Sequence, residues 1–280
     1  MTLPLDPVLA GRIQAILLDI EGTTTSIDFV YQTLFPYVCR HIAEFVNRHY
    51  GTEALRSVVD ELRREWETDA RQKNPRHEEP FDKLPSTTLR TSRASCTVAT
   101  LSDCPAWRAE TPEAEIESIV AYCHWLMDQD RKSTPLKSLQ GMIWASGYRS
   151  GELRGHVYPD VPAAFARWQR KGKTISIFSS GSVLAQKLTF AHTEAGDLTP
   201  FITAYFDTTT GAKSDPESYR KIAAALGVAP NEILFLSDSL AELQAARSMG
   251  MKTALSARPE NPPTGPISHR VIRSFEEVLP

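Results

Sequence analysis

The stretch Ile16–Thr25, with the sequence ILLDIEGTTT, decides the fold. Its first three residues are branched and apolar, which is typical of a short strand buried on both faces of a parallel sheet. The apolar run ends abruptly at Asp19, and a second acid, Glu21, follows two residues later. Open parallel sheets bind their ligands at the carboxyl ends of the strands. The stretch therefore predicts either a ligand-binding pair of carboxylates or an ordinary strand end, and the rest of the chain bears on the choice.

Strands and helices alternate in the last part of the chain. Short apolar or β-branched runs predict four further strands, at 174–178, 204–206, 233–236 and 253–255. Helical patterns of about ten residues lie between these runs, and such alternation is typical of βαβ units around a parallel sheet. We predict an α/β protein with a Rossmann-like parallel-sheet core, formed by residues 1–27 and 151–280.

Residues 28–150 have a different character. Apolar residues recur there at helical spacing in four segments, at 28–50, 52–68, 113–131 and 133–148. We therefore predict an all-helical cap domain inserted after the first strand. A segment within it, 84–110, is rich in proline, serine and threonine and has no durable periodicity, so we predict a mobile excursion there.

Composition bears on partners and location. The net charge of −3, from 31 basic and 34 acidic residues, gives no reason to expect a nucleic-acid partner. No apolar run approaches the roughly 20 residues that span a bilayer, and residues 1–12 show no signal-peptide pattern, so we expect no membrane attachment.

The four cysteines have no CxxC spacing, which favours free thiols in a reducing compartment, so the cytoplasm is the expected location. Nothing in the pattern indicates an exposed apolar seam, so we expect a monomer.

Polar side chains follow the predicted strands or lie in loops beside them. They are Asp19, Glu21, Ser179, Ser180, Lys213 and Asp238. Taken singly, each has an ordinary explanation as a turn or helix cap, a solvated loop acid or a surface lysine. Because the carboxyl ends of neighbouring parallel strands meet at one edge, we expect the set to converge. Two carboxylates and a backbone carbonyl suit Mg²⁺, a lysine and hydroxyls suit phosphate oxygens, and an aspartate can attack phosphorus.

The same residues resemble known motifs. Asp19-x-Glu21-Gly22-Thr23, the serine after a central strand, Lys213 and Phe235-Leu236-Ser237-Asp238 resemble the four motifs of the haloacid dehalogenase superfamily of phosphotransferases. The superfamily usually has a second aspartate where this chain has Glu21, and that substitution is similar to the enolase-phosphatases of methionine salvage. Four longer stretches also resemble that family: DRKSTPLKSLQG (130–141), FSSGSVLAQKL (178–188), FDTTTGAKSDPESYRKIA (206–223) and ILFLSD (233–238).

The resemblance implies a Mg²⁺-dependent bifunctional enzyme with one Mg²⁺ per chain. Such an enzyme enolises 2,3-diketo-5-methylthiopentyl 1-phosphate and then removes its phosphate, giving the acireductone 1,2-dihydroxy-3-keto-5-methylthiopentene. It also implies residue roles. Asp19 would be both a metal ligand and the nucleophile that forms an aspartyl-phosphate. Glu21 would be the general acid and base, and its backbone carbonyl would contact the metal. Ser179 and Ser180 would bind the phosphate, Lys213 would neutralise it, and Asp238 would hold Mg²⁺.

Two alternatives remain open on the sequence. The first is a capped phosphatase of the same superfamily that acts on another small phosphate monoester. The second is a non-catalytic module that binds Mg²⁺ and phosphate without turnover. One further acid, Glu242, stands four residues after Asp238, where the superfamily often has a second aspartate, and could act indirectly at the metal site.

Overall fold

The computed structural model describes residues 12–71, 103–131, 133–262 and 268–280. The chain divides into two compact units, one formed by Met1–Val30 with Gly147–Pro280 and the other by Tyr31–Ser146. The second unit contains only helices and connecting segments among its described residues. Its role as a cap domain stays a prediction.

The first unit is built on a six-stranded sheet in the order β3-β2-β1-β4-β5-β6, in which every pairing is parallel. The strands are β1 Ala15–Leu18, β2 Thr174–Phe178, β3 Ile202–Phe206, β4 Ile233–Ser237, β5 Lys252–Ser256 and β6 Arg270–Ile272. Leu18 of β1 pairs with Ile177 of β2 on one side and with Leu236 of β4 on the other. These three central strands therefore end at the same level. The predicted α/β fold with a parallel sheet is confirmed.

In the described residues of the helical unit there are three long helices and most of a fourth. They are α1 Phe35–His49, α2 Glu53–Arg71, α3 Pro112–Asp128 and α4 Thr134–Ser150. A short helix, Ile27–Phe29, and a π-helical turn, Val30–Leu34, precede α1. The helical segment predicted at 28–50 is therefore divided, and α1 starts at its proline: Pro36 lies in the first turn, where it lacks only an N–H that would have no helical partner.

The predicted mobile excursion at 84–110 is described only in part, because residues 84–102 lie outside the described residues. The remainder is attached to two helices. Trp66 of α2 donates from Nε1 to the Pro105 carbonyl at 2.8 Å, and the backbone N–H of Arg108 donates to Ser118 Oγ of α3 at 2.9 Å. Residues 103–110 are therefore held by side chains of α2 and α3.

Four further helices cover the sheet: α5 Val161–Arg170, α6 Val183–Ala191, α7 Pro216–Leu226 and α8 Leu240–Ser248. Successive residues of a strand point to opposite faces, so β1 contributes to two cores. Ile16 and Leu18 pack with Phe165 of α5 and Phe190 of α6, whereas Leu17 packs in a cluster formed mainly by α7, α8 and the other strands. Helices on both faces explain why β1 is apolar at every position.

Two findings concern the expected environment of the chain. Cys39 is disulfide-bonded in the structure, while Cys104 and Cys123 are free. The expectation of unpaired thiols is therefore wrong for Cys39, since CxxC spacing is not the only arrangement that allows a disulfide. Within the described ranges, each helix is too short or too polar to cross a membrane.

Candidate active site

Asp19 directly follows β1 and is 3% exposed. Its Oδ1 atom accepts hydrogen bonds from Lys213 Nζ at 2.6 Å and from the Ile20 backbone N–H at 2.7 Å. Its Oδ2 atom lies 3.1 Å from the hydroxyl of Ser237, the last residue of β4. Contacts on both oxygens fix the orientation of the carboxylate. The structure thus presents Asp19 at the carboxyl edge of the sheet with a cation directly beside it.

The loop after Asp19 turns sharply at Gly22, whose φ angle is +68°. Its N–H donates to the Thr25 carbonyl at 2.8 Å, while the N–H groups of Thr24 and Thr25 both donate to the Ile20 carbonyl at 2.9 Å. A Cβ atom on Gly22 would lie 2.4 Å from Asp238 Oδ2. Glycine is therefore required here by its backbone angle and by the close approach of an acidic side chain.

We expect Gly22→Ala to lower phosphate release at least tenfold, because the methyl group would displace the Asp238 carboxylate. The matched control is Gly172→Ala, since Gly172 also has a φ of +68° but no other part of the described chain comes within 4 Å of the added Cβ. The control should lose about 1 kcal/mol of stability from backbone strain and keep its activity. Initial rates and urea unfolding of both variants test this. Equal activity of the two variants would contradict the steric argument.

Glu21 lies in the same loop and is partly buried. The Ser179 hydroxyl, after β2, donates to Glu21 Oε2 at 3.4 Å. Burial first, and the negative charge of Asp19 second, raise the pKa of Glu21 above its usual value. A carboxyl group with a raised pKa can hold a proton closer to neutral pH, which suits a residue that must donate and recover one.

The turn after β2 carries the predicted phosphate-binding serines. Ser179 is buried, and its Oγ accepts from the Gly181 N–H at 3.1 Å, whereas Ser180 is exposed. Ser182 caps α6, with the Ala185 N–H donating to its Oγ at 3.3 Å. The turn therefore places a hydroxyl and the amino end of a helix together, and both suit an anionic group.

Lys213 lies in the loop between β3 and α7, and its side chain is 9% exposed. Its Nζ atom contacts Asp19 Oδ1 at 2.6 Å and Glu242 Oε2 at 2.8 Å. Burial alone would lower the pKa of Lys213, but the two carboxylates outweigh it and raise the pKa. The hydroxyl of Tyr219, a fully buried residue of α7, donates to the Lys213 carbonyl at 2.6 Å and fixes this part of the loop.

We expect Tyr219→Phe to cost about 1 kcal/mol of stability, because it removes this hydrogen bond and leaves the Lys213 carbonyl without that donor. The turnover rate should fall a few-fold as Lys213 loses its fixed position. Tyr205→Phe is the matched control, since the Tyr205 hydroxyl is buried and has no hydrogen-bond partner among the described residues. Urea unfolding and initial rates of both variants provide the measurement. A control that is as destabilised as Tyr219→Phe would contradict this explanation.

The carboxyl edge of the sheet carries several acidic side chains around one lysine, Lys213. This excess of negative charge suits a divalent metal ion. Burial, followed by the charge of Asp19, raises the pKa values of Asp238 and Glu242 to about 7 each. A bound cation would relieve the repulsion that contributes to these shifts. No group of three or more His, Cys, Asp or Glu side chains in the described part of the chain is arranged to hold a metal. Mg²⁺ needs fewer, because it takes one or two carboxylates with carbonyl and water oxygens.

The structure joins most of the predicted residues by direct contacts. Asp19 meets Lys213, Glu21 meets Ser179, and the loop of Asp19 packs against Asp238 at Gly22. Three neighbours were not predicted as site residues. They are Ser237 and Tyr219, which stand in stretches that carry the resemblance, and Asn261, which contacts Asp238. Ser237 could have been found from its place at the end of an apolar strand. Neither Tyr219 nor Asn261 has a comparable local signal.

Comparison with known proteins agrees with this geometry. A family model of haloacid dehalogenase-like hydrolases matches residues 13–250. The enolase-phosphatase E1 of Synechococcus elongatus is 43% identical over 270 residues, covering 96% of this chain and 99% of that protein. The enolase-phosphatase E1 of Pseudomonas fluorescens is 38% identical over 268 residues, covering 96% of this chain and 98% of that protein. Hydrolases of this superfamily are generally dependent on Mg²⁺.

Solved structures show the same fold. The crystal structure of the UTR4 protein of Saccharomyces cerevisiae superposes with a TM-score of 0.68 at 30% identity, covering 94% of this chain and 99% of that one. The HAD-hydrolase YfnB of Bacillus subtilis, bound to magnesium, matches with a TM-score of 0.50 at 15% identity, covering 95% and 96%. The long matches to curated relatives, with an aspartate and a glutamate two residues apart at the end of β1, place the chain in the enolase-phosphatase family of the haloacid dehalogenase superfamily.

Proposed function

We propose that this chain converts 2,3-diketo-5-methylthiopentyl 1-phosphate into 1,2-dihydroxy-3-keto-5-methylthiopentene and phosphate in methionine salvage. The relatives at 38–43% identity are enolase-phosphatases, which supports this reaction class. The observation that carries the proposal is the contact of a buried Asp19 with Lys213 at 2.6 Å, with Glu21 two residues further on. A nucleophile, a counter-charge for phosphate and an acid/base group are thus present at one sheet edge.

The first step moves a proton. The product has its double bond between C1 and C2, so enolisation must remove a proton from C1 and deliver one to the oxygen on C2. We assign proton transfer to Glu21, whose raised pKa suits a group that both accepts and donates. Mg²⁺, held by Asp19, Asp238 and the Glu21 carbonyl, would neutralise phosphate charge and polarise a substrate oxygen when bound.

The second step transfers the phosphoryl group. Glu21 takes up a proton from solvent after the first step and returns one to solvent at the end of the cycle. Asp19 attacks phosphorus, the bond from phosphorus to the C1 oxygen breaks, and Glu21 donates its proton to that leaving oxygen. Glu21 then removes a proton from a water molecule that attacks the aspartyl-phosphate, which releases phosphate and restores Asp19. Lys213 balances the charge of the phosphoryl oxygens, and Ser179 and Ser180 donate hydrogen bonds to them.

We further propose one Mg²⁺ per chain, a small phosphorylated diketone as the substrate, and a monomer. The large apolar side chains that are exposed in the described residues are Tyr31 and Leu184, which are far fewer than a stable subunit interface needs. Metal analysis of the purified protein and light scattering test the stoichiometry and the oligomeric state.

The function is tested by following the diketone phosphate by ultraviolet absorbance, with and without Mg²⁺, while phosphate release is measured in parallel. We expect the enol to form and then phosphate to appear, both dependent on Mg²⁺. A panel of simple sugar phosphates and phosphoglycolate is the comparison. Strong turnover of those esters with none of the diketone phosphate would replace the proposal by a phosphatase of another specificity.

A further inference from the structure

The segment after β5, Arg258–Asn261, contacts both loops that carry the proposed metal ligands. Asn261 donates from Nδ2 to Asp238 Oδ2 at 2.7 Å. A Cβ atom on Gly22 would lie 3.0 Å from the same Nδ2 atom and 2.8 Å from Asp238 Cγ. Gly22, Asp238 and Asn261 are therefore packed against one another. No side chain would fit at position 22 without displacing Asp238 or Asn261.

Arg258 anchors this segment to the loop that follows Asp19. It is 4% exposed, and its Nε and Nη2 atoms donate to the Thr23 carbonyl at 3.0 and 2.8 Å. Its Nη1 atom pairs with Asp160 Oδ2 at 2.8 Å, and its guanidinium lies 4.1 Å from the ring centre of Tyr158. The Asn261 N–H donates to the Arg258 carbonyl at 2.9 Å, which closes a turn. Asn261 is therefore held in a fixed position relative to the Asp19 loop.

The chemistry of an amide suits this position. A carboxylate that gives one oxygen to a metal ion needs a donor on the other oxygen to keep its orientation. A lysine or arginine there would add a positive charge next to the cation and compete with it, whereas a neutral amide supplies the hydrogen bond alone. We propose that Asn261 is a positioning residue whose amide fixes the Asp238 carboxylate and thereby sets the affinity of the site for Mg²⁺. The inference rests on the proposed function, in which Asp238 is a Mg²⁺ ligand.

Isothermal titration of the metal-free protein with Mg²⁺ tests this without any substrate. Asn261→Ala and Asn261→Leu both remove the donor, but leucine keeps most of the side-chain volume. Both should raise the Kd for Mg²⁺ about tenfold or more, as is typical when a partner of a metal ligand is lost. Asn231→Ala is the matched control, because Asn231 is exposed and precedes β4 at the opposite end of the strand from Asp238. Its Kd should remain that of the wild type.

Two further readouts separate positioning from a general structural role. The melting temperature of the metal-free protein should not change in either Asn261 variant, and the turnover rate at saturating Mg²⁺ should stay within a few-fold of the wild type. A wild-type Kd in Asn261→Leu would overturn the inference, because packing alone would then suffice. A lower melting temperature with an unchanged Kd would overturn it too. If the wild-type protein binds no Mg²⁺, the proposed metal site is overturned as well. If the wild type and both variants bind Mg²⁺ with the same Kd, only the role of Asn261 is overturned.

Discussion

Asp19→Asn is expected to abolish phosphate release, with a fall of at least about 10⁴-fold, in the range seen when a covalent nucleophile is removed. Asparagine keeps the shape of the side chain and an oxygen that can accept from Lys213 Nζ. Its neutral amide cannot attack phosphorus, so no aspartyl-phosphate can form. Phosphate assays on the purified variant give the rate. Acid quenching followed by mass spectrometry should show a phosphorylated protein for the wild type and none for the variant.

A loss of activity in Asp19→Asn must be distinguished from loss of the fold. Asp215→Asn provides the matched control, because Asp215 is exposed and caps α7 by accepting from the Glu217 N–H at 3.0 Å. Asparagine caps helices as well as aspartate does, so this variant should be fully active. Both variants should unfold at wild-type urea concentrations. Phosphate release by Asp19→Asn at the wild-type rate would end the assignment of Asp19 as nucleophile.

The central part of the sheet could be predicted because its strands carry their own signal. The runs at Ile16–Leu18 and Ile233–Leu236 are apolar at every position, as strands covered on both faces must be. β6, Arg270–Ile272, was not predictable. It has three residues, polar neighbours and no periodicity, and it is a strand only because it pairs with β5. The order of strands is likewise a property of long-range packing, which a pattern along the chain does not contain.

The same distinction applies to the candidate site. Asp19 and Glu21 could be predicted because they stand in one loop directly after a strand, and the roles implied for them follow from a local motif. Asn261 and Asp238 are 23 positions apart, and Arg258 and Thr23 are 235 apart. Their contacts depend on how β1, β4 and β5 lie beside one another in the sheet. Residues that position the catalytic groups are thus harder to predict than the catalytic groups themselves.

The resemblance to enolase-phosphatases depends on Glu21, at a position where the superfamily usually has aspartate, so its substitution should separate the two proposed steps of the reaction. Glu21→Gln removes the proposed proton donor and should lower phosphate release about 10²- to 10⁴-fold, the usual contribution of a general acid or base. Glu21→Asp keeps a carboxyl group but shortens it by one methylene. We hypothesise that the longer side chain is needed to reach the carbon acid at C1, one bond beyond the ester oxygen. Glu21→Asp should therefore retain phosphatase activity while enolisation falls at least tenfold.

Separate substrates are needed to measure the two steps in Glu21→Asp. The rate of enol formation comes from ultraviolet absorbance with the diketone phosphate, and the phosphatase rate comes from an aryl phosphate that cannot enolise. Glu61→Asp, an exposed position of α2, is the matched control and should leave both rates unchanged. Full retention of both rates in Glu21→Asp would refute the reach argument, because an acid of either length would then serve C1. A selective loss of enolisation would instead support the reach argument. The single methylene by which Glu21 is longer than aspartate would then add a second reaction to a phosphatase site.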